Sequence, residues 1–193
     1  MQKRVFLIHG WDGSPDSCWF PWLKNELEQR GFAVEVPAMP NPEAPKIEEW
    51  IQYLSQLAGD ADENTYFVGH SMGCRAILGF LQGIDEAKRI GGAVLVAGWI
   101  SLSPYAFESE EDKLVAQPWL QMPIDWDRVK KVGNKFVAIF SDDDPFVALE
   151  ENKATYEEKL GAKIIVEHNK GHFSDDAGVK ELPSALAALL EIA

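Results

Sequence analysis

The chain has 193 residues, with 31 acidic against 18 basic side chains, a formal charge of −13, and a composition that is 46% hydrophobic and 25% charged. That is the length of one domain, 1–193, able to bury its own core, and the composition is globular rather than disordered. The acidic balance repels phosphate, which excludes nucleic acid and anionic membrane surfaces as partners and leaves a small-molecule substrate and a monomer or weak dimer as the expectation.

In chain order, the first predicted strand is 4–8 (RVFLI), whose apolar stretch stops at His9 and Gly10, too soon for a secretory signal core. A helix near 19–30 follows, then a strand at 32–36 (FAVEV), a Pro-rich loop at 37–46 (PAMPNPEAPK) and a helix near 46–57. The third strand, 65–69 (TYFVG), runs into a helix near 72–82, and a fourth strand lies at 92–97 (GAVLVA). Residues 99–126 form a Pro- and Trp-containing insertion, the one stretch long enough for a small lid. Then come a helix near 126–132, a strand at 135–140 (KFVAIF), a helix near 147–160, a strand at 163–167 (KIIVE) and a final helix near 183–192. Gly31, Gly83 and Gly161 stand where helix C-caps belong. Near-continuous Val/Ile/Phe runs, each followed by a helix, predict a doubly wound α/β fold: a mainly parallel six-stranded sheet with helices on both faces and little or no lid. No window is apolar for long enough to span a bilayer. Cys18 and Cys74 make no C-x-x-C or Cys/His zinc pattern, so a reducing, cytoplasmic setting without a disulfide framework is expected.

Ligands of such a sheet bind beyond the carboxyl ends of its strands, where the winding reverses. There the sequence places Gly69-His70-Ser71-Met72-Gly73, a G-x-S-x-G pattern between a strand and a helix. Glycines two before and two after the serine allow a sharp turn that holds its hydroxyl above the sheet, at a helix N-terminus that favours developing negative charge. The plainer reading is a Gly-rich turn with a capping serine.

A serine hydroxyl becomes a nucleophile when an oriented base takes its proton. Of four histidines, His9 and His70 sit at strand ends and read as structural, and His168 ends the last strand. His172, in the Gly-containing loop that follows, is the candidate base. His168 and His172 could pair on a metal, but no third ligand is evident, and neither metal nor cofactor is expected. The orienting acid belongs at the preceding strand end, where Asp142, Asp143 and Asp144 follow KFVAIF. Asp144, before a proline that can open the next helix, is the candidate; Asp142 and Asp143 are the alternatives, and at least one of the three reads as a solvated charge. For the oxyanion, Met72 N–H and an N–H of the first strand's loop, that of Trp11, are the candidate donors. Trp11, Trp22, Trp99, Trp119 and Phe146 either wall an acyl pocket or pack as core.

These pieces, together with W-F-P-W-L at 19–23, M-P-N-P at 39–42 with Trp50 beyond it, E-N-T-Y at 63–66 and D-D-P-F at 143–146, resemble the small α/β-hydrolase family of YdeN-type and retinoblastoma-binding-protein-type serine hydrolases. The resemblance spans nearly the whole chain and implies Ser71, Asp144 and His172 as nucleophile, acid and base. It does not bring partner binding with it, because L-x-C-x-E is absent. The expected activity is hydrolysis of small esters, thioesters or amides through an acyl-enzyme; the alternative is a binding or scaffold protein on the same fold. Neither G-x-G-x-x-G nor G-x-x-x-x-G-K-[ST] is present, which removes a dinucleotide or P-loop enzyme.

Overall fold

The computed structural model describes residues 2–107, 109–133 and 135–193. Six strands, β1 (Arg4–Ile8), β2 (Ala33–Glu35), β3 (Thr65–His70), β4 (Gly92–Val96), β5 (Phe136–Ser141) and β6 (Lys163–Glu167), form one sheet in the order β2-β1-β3-β4-β5-β6. Every neighbouring pair is parallel. The winding reverses between β1 and β3, which run side by side with Ile8 level with Gly69. That is the crevice position of a doubly wound sheet.

The central strands are buried on both faces, which is why they read as unbroken apolar runs rather than as alternating ones. Phe6, Phe67, Leu95 and Phe140 point into one core. That core is closed by α2 (Ile47–Ala58), α3 (Met72–Leu81), α4 (Glu110–Gln121), α5 (Trp126–Val132) and α6 (Leu149–Thr155), whose end opens into a π-helical turn at Tyr156–Leu160. Val5, Val68, Val94 and Ile139 point into the other core, closed by α1 (Phe20–Glu28) and α7 (Pro183–Ile192). No helix among the described residues is long and apolar enough to cross a membrane.

One element is new and one expectation is corrected. Helix α4 lies inside the predicted insertion, whose conformation the sequence leaves open, and it carries Pro118 within it. Its start is nevertheless encoded: Ser109 Oγ accepts from Asp112 N–H, and Asp112 reciprocates at the Ser109 N–H, a capping box. Of the three expected glycine caps, Gly31 and Gly161 have φ of +86° and +66°, whereas Gly83 has no left-handed φ.

The tightest constraint in this arrangement is Gly73, at the start of α3. A Cβ there would stand 2.2 Å from the Ile8 carbonyl oxygen and 2.6 Å from that of His9, both of them backbone that cannot turn aside. The glycine lets α3 touch the carboxyl end of β1. Gly73→Ala should therefore cost at least about 2 kcal/mol in urea unfolding, as overpacking against backbone does. Gly83→Ala, with its nearest neighbour 3.3 Å away, should cost far less.

Candidate active site

Ser71 joins β3 to α3 with φ 52° and ψ −119°, a conformation that costs a non-glycine residue roughly 1–3 kcal/mol. It is held there by its N–H donating to the Val96 carbonyl at 2.9 Å and its carbonyl accepting from Cys74 N–H at 3.0 Å. Gly69 is required as well, since a Cβ on it would lie 2.7 Å from Ile77 Cδ1 and 2.9 Å from Cys74 N. The Ser71 side chain makes no capping hydrogen bond to α3, so the capping-serine reading fails and the hydroxyl is left to face the cavity. Met72, the first residue of α3, has an N–H with no carbonyl one turn back to take it. The loop after β1 passes close by: a Cβ on Gly10 would be 3.1 Å from Ser71 Cβ and 3.6 Å from its Oγ. Trp11 follows, and no group among the described residues accepts its backbone N–H.

The loop carrying His172 is gripped by all three aspartates. Asp142 accepts from His168 Nδ1–H at 2.5 Å and from Asn169 N–H at 3.1 Å. Asp143 accepts from the Ser141 hydroxyl at 2.6 Å and from Gly171 N–H at 2.8 Å. Asp144 Oδ2 accepts from His172 Nδ1–H at 2.8 Å, while its Oδ1 accepts from Phe146 and Val147 N–H at 2.9 and 3.1 Å. Asp144 is 3% exposed and His172 13%, against 39% for Asp142 and 78% for His168, so the first pair is the sheltered one. The expectation that one aspartate is merely solvated is thus corrected. So is the role given to Pro145: the next helix opens at Leu149, and the Asp144 carboxylate is aimed instead by the backbone turn it closes.

His9 and His70 have structural partners. His9 Nδ1–H donates to the Gly10 carbonyl at 2.8 Å and Nε2 accepts from Met39 N–H at 3.0 Å; burial lowers its pKa. His70 Nε2–H donates to the His172 carbonyl at 2.7 Å, holding the His172 loop from beneath. Burial, and then the neighbouring His172, push the His70 pKa down to about 3.

Ser71, Met72, Trp11 and His172 line one cavity of about 410 Å³ at the carboxyl ends of the strands. Trp99 and Phe146 wall it, and α4 contributes Asp112 and Ala116. Trp119 instead lies fully buried in the core, and Trp22 packs on the opposite side of the sheet. Three indole N–H groups pin the Pro-rich loop beside the cavity: Trp11 to the Glu43 carbonyl at 3.0 Å, Trp50 to Pro40 at 2.7 Å and Trp119 to Pro45 at 2.9 Å.

Two supporting residues are not evident from the sequence. Buried Asn152 accepts from Ile100 and Ser101 N–H at 2.6 and 3.1 Å and donates to the Ser101 carbonyl at 2.9 Å, fixing the wall after β4. Buried Arg75 donates to the Trp119 and Met122 carbonyls, tying the end of α4 to the helix that follows Ser71. A polar side chain inside an apolar helical run, as Arg75 is in CRAILGFL, is the available signal. No group of three or more His, Cys, Asp or Glu among the described residues could hold a metal ion.

A family described as serine hydrolase matches residues 5–191. The chain is 35% identical over 183 residues to the putative hydrolase YdeN of Bacillus subtilis (strain 168), covering 95% of this chain and 92% of that protein. It is 25% identical over 158 residues to the serine hydrolase RBBP9 of Rattus norvegicus, covering 81% and 78%. The crystal structure of the B. subtilis ydeN gene product is similar at a TM-score of 0.90 and 31% identity, covering 99% of this chain and 98% of that one.

The buried His70 makes stability pH-dependent. The unfolded chain takes up this proton below about pH 6.5, the folded one only near 3, so acidification through that window favours unfolding. Between pH 7 and 5 the contribution lost is about 2 kcal/mol. Urea unfolding should show the wild type losing about that much more stability over this interval than His70→Gln does; equal losses would mean that His70 is not buried neutral.

Proposed function

The chain belongs to the serine hydrolase family, and from that premise we propose that it cleaves small carboxylic esters, thioesters or amides with Ser71 as nucleophile, His172 as base and Asp144 as the acid that orients it. The observation that carries this reading is the sheltered Asp144–His172 hydrogen bond at 2.8 Å on a ring that shares its cavity with Ser71. Because Nδ1 holds its proton for Asp144, Nε2 is the nitrogen left to act as base. It takes the Ser71 proton as Oγ bonds to the substrate carbonyl carbon, and the carbonyl electron pair moves onto oxygen. The Met72 and Trp11 N–H groups receive that charge. Collapse breaks the bond to the leaving group, which departs with the proton from His172. Water, deprotonated by the same nitrogen, then releases the acid and restores Ser71.

The test is labelling with a fluorophosphonate probe alongside hydrolysis of p-nitrophenyl acetate. Ser71→Ala should abolish both while leaving the fold intact, and turnover surviving in a folded Ser71→Ala protein would sink the mechanism. His172→Ala should lose activity by a comparable factor, because the members of a triad act as a unit. Asp144→Asn should lower kcat by roughly four orders of magnitude, as an amide favours the wrong imidazole tautomer, and far more than Asp142→Asn.

The cavity also predicts acyl size. At about 410 Å³, walled in part by the 12-residue α4, it suits compact acyl groups. Methylenes beyond it stay in water and forgo the roughly 0.8 kcal/mol each would contribute if buried. Across p-nitrophenyl esters from acetate to palmitate, kcat/KM should peak at short chains; a value that climbs past eight carbons would contradict the small pocket.

A further inference from the structure

Three carboxylates, Asp12, Asp112 and Asp176, line the cavity that holds Ser71, and no lysine or arginine among the described residues lines it. They come from three separate elements: the loop after β1, helix α4 and the loop that carries His172. Asp112 spends one oxygen on the Ser109 N–H. The carboxylates of Asp12 and Asp176 have no ion-pair or hydrogen-bond partner among the described residues, and both residues are exposed at the mouth. Lys113 and Lys180, the cations nearest in sequence to Asp112 and Asp176, pair instead with Glu110 and Asp175. Four aromatic side chains, Trp11, Trp99, Phe107 and Phe146, line the same space, Trp99 with the Arg75 guanidinium over its ring at 5.6 Å.

From this lining we infer that the substrate carries a positive charge: a carboxylic ester, thioester or amide with an ammonium group in its acyl or leaving part. The inference rests on the hydrolase reading of Ser71 and deepens it. A cleft lined by one sign of charge concentrates the opposite sign and speeds its arrival, and a chain of net charge −13 reinforces that field. Aromatic faces add attraction for ammonium groups, which aliphatic walls would not. The reaction itself sharpens the demand. Attack on the carbonyl places a new negative charge on oxygen in a space that already holds three carboxylates, and a cation on the substrate offsets that repulsion as it develops. An acyl group with its own carboxylate would meet the reverse, and is selected against. The acids are too dispersed to form a metal site, so an organic cation is the chemistry they suit.

The test compares isosteric substrate pairs that differ only in charge. In the leaving-group arm, acetylthiocholine is compared with S-(3,3-dimethylbutyl) thioacetate; in the acyl arm, p-nitrophenyl 4-(trimethylammonio)butyrate with p-nitrophenyl 5,5-dimethylhexanoate. In at least one arm kcat/KM for the cation should exceed that for its neutral partner by roughly three- to tenfold, the size of one or two solvent-exposed charge contacts, and the ratio should shrink as salt is raised. The arm that shows it identifies which part of the substrate carries the charge. Asp12→Asn and Asp176→Asn should each lower the ratio. Asparagine tolerates the left-handed backbone of Asp12, whose φ is 53°, so that variant should fold. Equal rates within both pairs, with turnover that needs Ser71, would overturn the charge preference and leave the hydrolase standing. A cation preference unchanged in both Asn variants would overturn the assignment to these carboxylates. If neither member of any pair is turned over in a Ser71-dependent way, the hydrolase reading fails and the inference with it.

Discussion

The close approach of α3 to the carboxyl end of β1, made possible by the missing side chain at Gly73, sets the geometry on which the rest of the site depends. With that helix pressed against the Ile8 and His9 carbonyls, the chain leaving β3 has only Ser71 before α3 in which to turn, and Ser71 takes the strained conformation at φ 52°. The same approach brings Gly10 within van der Waals reach of Ser71, and so sets Trp11 beside it. Strain of this kind persists only where the surroundings over-determine it. Here they do: parallel pairing of β3 on both sides, the Ser71 N–H bonded to Val96, and Gly69 seated on Cys74 and Ile77.

The second half of the site is fixed by a different device. A loop after an edge strand is ordinarily mobile, yet residues 168–172 are clasped by three successive carboxylates from the end of β5 and by His70 from below. The three carboxylates divide the loop between them. Asp142 holds its start, Asp143 the backbone at Gly171, and Asp144 the imidazole. The grips by Asp142 and Asp143 are solvent-exposed and contribute little stability singly. Their effect is positional, since together they leave His172 one orientation. Of the three grips, only that of Asp144 on His172 is sheltered from solvent, as the proposed proton transfer requires.

Much of this is legible in the sequence because the physics is local. Strands buried on both faces announce themselves as Val/Ile/Phe runs, and G-x-S-x-G between such a run and a helix needs both glycines for the steric reasons seen at Gly69 and Gly73. Asp144 stands out in D-P-F-V for two reasons: that Pro145 opens the next helix fails, but that the residue at this turn points inward while Asp142 and Asp143 face water holds, and what aims it is a pair of backbone N–H groups. Helix α4 is hidden because Pro118 and the exposed Leu114 spoil its apolar periodicity, although its capping box is there to be read. The cavity acids are hidden for a deeper reason. Asp12, Asp112 and Asp176 are far apart in the chain, and no spacing rule links residues that only the sheet's winding brings together.

The central claim is that Ser71, His172 and two backbone N–H groups converge on one reacting carbonyl. It is tested most directly by a crystal structure of the protein after reaction with a fluorophosphonate probe. The account predicts a bond from Ser71 Oγ to phosphorus, with the phosphoryl oxygen within hydrogen-bonding distance, roughly 2.7–3.2 Å, of the Met72 and Trp11 N–H groups and His172 Nε2 facing the adduct. Phosphorus bonded at another residue, or a phosphoryl oxygen turned away from both N–H groups, would contradict it.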